Sequence, residues 1–259
     1  MIFFDDIQRF YPDDLHNRGE HLLREYLQYE ILKLVFEGKY AHRYTFLGST
    51  CLRVCYGTQR FSEDMDLNGA NLTEKEFEAT AASIKQGLER LGFTVTIKFA
   101  YKGAFHCNIR FPALLYQAGL SPHKEARLLV KMDTEKQHYD YERKLVEINK
   151  FGVKVDVLAV PLELLASQKI AAIMGRKRPK GRDFFDLTWI LGQTTPDYGY
   201  LDVRFQVTTA EGLRSMVAAH IAAFNFEELA QDVQDFLFTP EDIAAVAHFP
   251  DFWQHAKLG

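Results

Sequence analysis

An α+β fold, with a mixed β-sheet bordered by helices followed by an α-helical carboxy-terminal part, is predicted by three features of this 259-residue sequence. Short runs of alternating apolar and polar residues recur between residues 44 and 157, as half-buried strands require. A long stretch of helical spacing precedes them. From Pro161 onward the spacing is mostly helical. Hydrophobic residues make up 47% and charged residues 25%, which excludes a largely disordered chain.

The elements follow in order. Residues 14–37 place Leu22, Leu23, Tyr26, Leu27, Tyr29, Ile31, Leu34 and Val35 at mostly helical spacing, ending near Gly38. Tyr44–Leu47 reads as a strand stopped by Gly48-Ser49-Thr50, and Thr50–Tyr56 as a helix that Gly57 ends. Asp64–Leu67 alternates acidic and apolar side chains like a strand. Thr73-Glu74-Lys75-Glu76 is a capping-box pattern opening a surface helix over 73–91. Strands are expected at Thr94–Ala100, Phe105–Phe111 and Leu128–Asp133, then a hairpin of Val146–Ile148 and Val153–Val157. Helices are expected at 162–175, 183–192, 210–224, 226–237 and 240–247. The boundary near 160 gives an α/β domain with its amino-terminal helix over 1–160. A helical domain over 161–259 is expected to contribute to the active-site cleft.

Three cysteines do not make a disulfide framework, and Cys51 and Cys55, four apart, suit a helix face better than a zinc knuckle. The start, MIFFDDIQRFYPDDL, is acidic where a leader peptide would be basic. No apolar run approaches the length that crosses a bilayer. A cytoplasmic protein without membrane contact is expected.

The chemistry concentrates in Phe46–Gly69. Asp64 and Asp66, two apart on a strand, project from the same face, so their carboxylates converge. Such a pair repels unless a cation neutralises it. Mg²⁺, with Mn²⁺ as a substitute, suits carboxylate oxygens and completes its coordination with phosphates and water. A strand ending in Gly48-Ser49 and opening a helix aims backbone N–H groups and a positive dipole end at the turn, where phosphate binds. An ordinary helix cap by Ser49 or Thr50 would look the same in isolation. Together, the strand, Gly-Ser turn, short helix and D-x-D strand put a phosphate cradle beside a metal pair.

This stretch resembles motif I of the nucleotidyltransferase superfamily. LGSTCLRVCYGTQRFSEDMDL resembles more closely the AbiEii/AbiGii toxin family, which includes MenT-type toxins of type IV toxin–antitoxin or abortive-infection systems. Arg60 and Ser62 precede the acidic pair as in that family's long form. Ser49 stands where many relatives carry glycine. The likeness continues in LLVKMDTEKQ, which holds the third acidic position at Asp133. It resumes in LELLASQKIAAIMGRKRPKGRDFFDL, and the last 60 or so residues match only in being helical.

The resemblance implies a nucleotidyltransferase-like sheet domain and a Mg²⁺-dependent transfer of NMP from an NTP, releasing pyrophosphate. The implied acceptor is the 3′ end of tRNA, and the implied setting a toxin–antitoxin or phage-defence pair with a cognate antitoxin. Asp64, Asp66 and Asp133 become the metal ligands, with Asp133 alternatively taking the acceptor's proton or being only an exposed charge at a strand end. Gly48, Ser49, Arg60, Ser62, Lys169 and Arg182 become nucleotide-binding residues. Lys169, on an apolar helix, either reaches toward solvent or contacts phosphate. Asp183 would orient Lys169 or Arg182, or act as an auxiliary base, whereas Asp186 reads as a complement to the helix dipole. His138-Tyr139-Asp140-Tyr141 offers stacking and hydrogen-bonding groups but has no assigned place.

Three other readings share these residues: the same site phosphorylating or nucleotidylating a protein or small molecule, a non-catalytic nucleotide-binding module, and a structural protein. The net charge of −4 does not exclude RNA. From Asn225 onward seven acidic side chains face only Lys257, which leaves the preceding body slightly basic. Arg176, Lys177, Arg178, Lys180 and Arg182 put five cations within seven residues there, a solvated loop or a phosphate clamp. The acidic tail is left as the place for protein contacts.

Overall fold

A computed structural model of the chain describes residues 3–101 and 104–259. The first two residues of the run read for a leader lie outside it. The described residues form two compact units: one is built from the chain up to Cys55 and from Phe61–Ala159, the other from Tyr56–Arg60 and Val160–Gly259.

The first unit contains, in order, α1 (Phe4–Gln8), α2 (Gly19–Phe36), β1 (Tyr44–Leu47), α3 (Gly48–Tyr56), β2 (Met65–Gly69) and α4 (Glu74–Arg90). Then come β3 (Thr96–Tyr101), β4 (Phe105–Pro112), α5 (Leu114–Gln117), β5 (Arg127–Glu135), β6 (Lys144–Lys150) and β7 (Val153–Ala159). The strands form one mixed sheet in the order β3-β4-β5-β2-β1-β7-β6. The β2–β5 and β1–β7 pairs are parallel and the others antiparallel.

Alternation divides the sheet into two chemically different faces. Phe46, Leu67, Met65, Met132 and Cys107 share one face by register and are all buried. α2 packs on β5 and β7, and α4 on β3 and β4. Burying each large apolar side chain there contributes about 1.5–3 kcal/mol. The other face is polar, carrying Thr45, Asp66, Asn68, Lys131, Asp133 and His106.

The local signals that set these elements are visible. Thr73 caps α4 in the expected box, its hydroxyl accepting from the Glu76 amide at 3.3 Å while the Glu76 carboxylate accepts from the Thr73 amide at 2.9 Å. The β6–β7 hairpin turns on Phe151 and Gly152, both at positive φ (58° and 77°). That geometry follows the strand twist in a two-residue loop, and glycine adopts it without penalty. The long amino-terminal helix begins later than its spacing suggested, because Asp13–Arg18 winds as a 3₁₀ segment first.

The second unit is helical: α6 (Leu162–Gly175), α7 (Gly181–Leu191), α8 (Tyr198–Phe205), α9 (Ala210–Ile221), α10 (Phe226–Val233), α11 (Ala244–Ala247) and α12 (Phe249–His255). Its core centres on Phe184, whose ring meets Phe226 at 5.1 Å and Phe249 at 4.9 Å, the latter backed by Trp253. No helix among the described residues is long and apolar enough to cross a membrane.

Candidate functional site

The strand β1 ends at Leu47, and Gly48 turns the chain into α3 with φ +77°. A side chain at Gly48 would collide with the Asp66 carboxylate, which lies against the bare Cα. Glycine is therefore demanded twice, by the dihedral and by the close approach. α3 is held from behind: Arg53 pairs with the buried Glu25 of α2 at 2.9 Å, and Lys150 joins Glu25 at 2.8 Å.

The segment leading to the acidic residues is fixed from two sides. Gln28 of α2, 1% exposed, donates to the carbonyls of Ser62 and Glu63 at 3.0 and 2.9 Å. The Thr50 hydroxyl bonds the Asp64 carbonyl and meets the Ser62 hydroxyl at 2.9 Å. Gln28 and Thr50 thus position the acids, a role that sequence reasoning missed because it depends on contacts across 12 to 35 residues.

Asp64 stands one residue before β2, not within it, and Asp66 is the second residue of the strand. Asp66 pairs with Leu47 of β1 on one side and with Asp133 of β5 on the other. Asp133 in turn faces His106 of β4, whose Nδ1 is 2.8 Å from Oδ1 of Asp133. Lys131 reaches back along the same face to within 3.6 Å of Asp64. Asp66 and Asp133 therefore share one sheet face beside the Gly48 turn, flanked by His106 and Lys131, and Asp64 stands at the entry to β2 within reach of Lys131. Neither His106 nor Lys131 was foreseen, since register between strands is not written in either strand alone.

Asp64 and Asp133 are partly exposed, with side-chain exposures of 42% and 35%. An all-carboxylate donor set beside a turn that leaves no Cβ in the way fits a hard divalent cation such as Mg²⁺. Among the described residues no three His, Cys, Asp or Glu side chains are already gathered as a metal cage.

The remaining predicted residues lie in the second unit, apart from Ser62. Arg60 is 0% exposed and grips Asp186, itself 0% exposed, through two bonds of 2.7 Å. Lys169 of α6, 7% exposed, lies 2.7 Å from Asp186 and 3.0 Å from Asp183. Arg176 completes the chain at 2.9 Å from the other Asp183 oxygen.

Two expectations are corrected here. Arg60 is fully buried with its guanidinium bonded to Asp186, so the structure does not present it to a nucleotide. Ser62 is 7% exposed and turned to Thr50, so it shapes the approach to Asp64 instead of presenting its hydroxyl. Lys169 and Asp183 do meet, and Arg182 lies over the Phe236 ring at 4.5 Å.

Asp186, read as a dipole complement, is the hub of this network. Burial pushes its carboxyl upward, but Arg60 and Lys169 outweigh burial and hold it down at about 2. Burial likewise disfavours the Lys169 ammonium, and Asp186 and Asp183 more than offset it, raising that group above the usual lysine range.

With the acids, the glycine turn and the buried network in place, the comparison with known sequences is decisive. Residues 31–252 match the family described as "Nucleotidyl transferase AbiEii toxin, Type IV TA system". The chain belongs to that family.

Two solved structures share the fold of this AbiEii nucleotidyltransferase. JHP933 from Helicobacter pylori is 15% identical with a TM-score of 0.52, the match covering 91% of this chain and 92% of that one. A candidate nucleotidyltransferase from H. pylori is also 15% identical, with a TM-score of 0.53, covering 90% and 94%. At that identity the likeness speaks for the fold alone. No curated protein sequence matches this AbiEii toxin significantly.

Proposed function

We propose that this chain transfers a nucleotide from an NTP to a hydroxyl of an RNA acceptor, the 3′ end of tRNA being the acceptor that the family resemblance implies, and that it does so with Mg²⁺. The observation that carries the reading is the register Leu47–Asp66–Asp133, which seats two carboxylates on neighbouring strands against the Gly48 turn. Asp64, Asp66 and Asp133 would hold the divalent ions, which supply neutralisation of the charge building on the α-phosphate and the departing pyrophosphate.

The chain's own residues do the rest. The Gly48-Ser49 turn, at the start of the nine-residue helix α3, presents backbone N–H groups to the β- and γ-phosphates. Asp133, oriented by His106 at 2.8 Å, takes the proton of the attacking hydroxyl. Thr50 holds the Asp64 carbonyl and Gln28 the carbonyls of Ser62 and Glu63 just before it. The oxygen–phosphorus bond to the acceptor forms as the bond to pyrophosphate breaks. Arg60, Asp186, Lys169 and Asp183 act through the stability of the helical unit. A cognate antitoxin is the protein partner that membership in a type IV toxin–antitoxin family implies.

The reading is tested by supplying each NTP labelled at the α- or the γ-phosphate, with Mg²⁺ and total RNA. Nucleotidyl transfer puts α-label on RNA and γ-label in pyrophosphate. γ-Label on any acceptor would identify a kinase instead. α-Label on protein alone would replace the acceptor.

A further inference from the structure

The polar face does not stop at the acids. Two residues beyond Asp66 on β2 stands Asn68, roughly 7 Å further along the strand, paired with Thr45 of β1. The segment after β5 crosses here. The Asn68 amide donates to the Tyr141 hydroxyl at 2.9 Å, and its oxygen accepts from the Gln137 amide at 3.1 Å. These contacts wall a cavity of about 360 Å³, within the size range of small-ligand sites. Tyr139 and Tyr141 line it, and Arg43, Lys136 and Arg143 bring cations to its rim, with Asp140 the one acid in the lining.

Aromatic rings with cations and few acids are the means by which proteins hold single-stranded nucleic acid: bases stack and phosphates pair. Position supplies the second half of the inference, which rests on the nucleotidyl-transfer reading above. In-line displacement places the attacking and leaving oxygens on opposite sides of the α-phosphorus. If pyrophosphate leaves toward Gly48 and Ser49, the acceptor approaches from the other side of Asp66, and that is where the cavity lies. The NTP's own nucleoside is attached through an oxygen of the α-phosphorus that lies off this axis.

We propose that the cavity walled by Asn68, Tyr139 and Tyr141 receives the terminal nucleotide of a single-stranded RNA acceptor. Its base stacks on Tyr139, the preceding phosphates pair with Lys136 and Arg143, and its hydroxyl is turned toward Asp66 and Asp133. This assigns a place to the His138–Tyr141 segment. It also puts the acceptor's end on the sheet domain and not on the basic run at 176–182.

The test is anisotropy of a short fluorescein-labelled single-stranded RNA, with Mg-NTP affinity followed separately by calorimetry. Tyr139→Ala should weaken RNA binding on the order of tenfold, and Tyr139→Phe should restore it, since stacking needs only the ring. Lys136→Ala with Arg143→Ala should lower the slope of log affinity against log salt by about 1.4, as for two lost phosphate contacts. Mg-NTP affinity should stay within about twofold in all three variants, a change of under half a kcal/mol. Unchanged RNA binding in these variants, with loss in Lys177→Ala/Arg178→Ala, would overturn the placement. So would loss of NTP affinity in Tyr139→Ala, which would give the cavity to the NTP. Failure of the underlying reading looks different: the unmutated protein would then transfer α-label to nothing, however well it bound RNA.

Discussion

Replacing Asp186 by alanine leaves two cations, Arg60 and Lys169, buried against each other in the helical unit. In the native protein Arg60 spends two 2.7 Å bonds on Asp186, and Lys169 a third contact at 2.7 Å. Removing one partner of a buried ion pair costs about 3–5 kcal/mol, chiefly because the other charge stays desolvated. That is about a fifth or more of a typical domain's stability of roughly 5–15 kcal/mol. The assay is built into the chain. Its two tryptophans, Trp189 and Trp253, both lie in the second unit, so their fluorescence follows that unit's unfolding in urea. With a urea dependence of about 1–2 kcal/mol per molar, the midpoint should fall by about 1.5–5 M. Asp183→Asn should shift it less, since Lys169 keeps Asp186. Arg60→Met combined with Asp186→Leu should recover most of the loss, because a matched apolar pair removes the stranded charge and Lys169 retains Asp183. A midpoint within about 0.5 M of the unmutated protein for Asp186→Ala would refute the reasoning, for it would show that the cations reach water freely.

The other predictions are shorter. Gly48→Ala forces a side chain into φ +77° and onto the Asp66 carboxylate; it should cost about 1–2 kcal/mol by thermal melting. The same variant should slow transfer about 100-fold, as a misplacement near 1 Å does, and near-normal rates would mean that the close approach is incidental. Because Asp186 sits at about 2 when folded, against about 3.9 when unfolded, its contribution is complete above the unfolded value and is lost as pH falls toward the folded one. Tryptophan-monitored stability should therefore hold level down to about pH 4 and fall between about 4 and 2, by roughly 2 kcal/mol from this group. Of the three free cysteines, Cys51 and Cys107 are buried, and burial, with Asp133 adding to it, pushes the Cys107 thiol up to about 12. A thiol reagent near neutral pH should titrate Cys55 alone in the native protein and all three after denaturation. Rapid native reaction of a second thiol would contradict the packing.

Much of the site could be read from local pattern. Gly48-Ser49 is a short-range signal, so the turn into α3 was legible, as were the strand place of Asp66, the Thr73 cap and the Phe151-Gly152 hairpin, whereas Asp64 stands just before the strand it was expected to share. What failed were statements depending on distant partners. Arg60 sits four residues from Asp64 in sequence, yet its partner is 126 residues away, and that partner turns an apparent phosphate ligand into a buried structural cation. Asp186 read as a helix-dipole complement, whereas Arg60 and Lys169 make it the network's centre. His106 and Lys131 were invisible because cross-strand register arises only when β4, β5 and β2 align. Tyr139 and Tyr141 carried suggestive chemistry with no address until Asn68 bound the crossing segment.

The central claim is that the acids beside Gly48 perform nucleotidyl transfer. The most direct test compares the unmutated chain with Asp66→Asn, incubated with α-labelled NTP, Mg²⁺ and total RNA, both proteins first shown to melt alike. The account predicts RNA labelled by the unmutated chain and loss of labelling in Asp66→Asn by a factor of at least about 100. Equal labelling by both would contradict it.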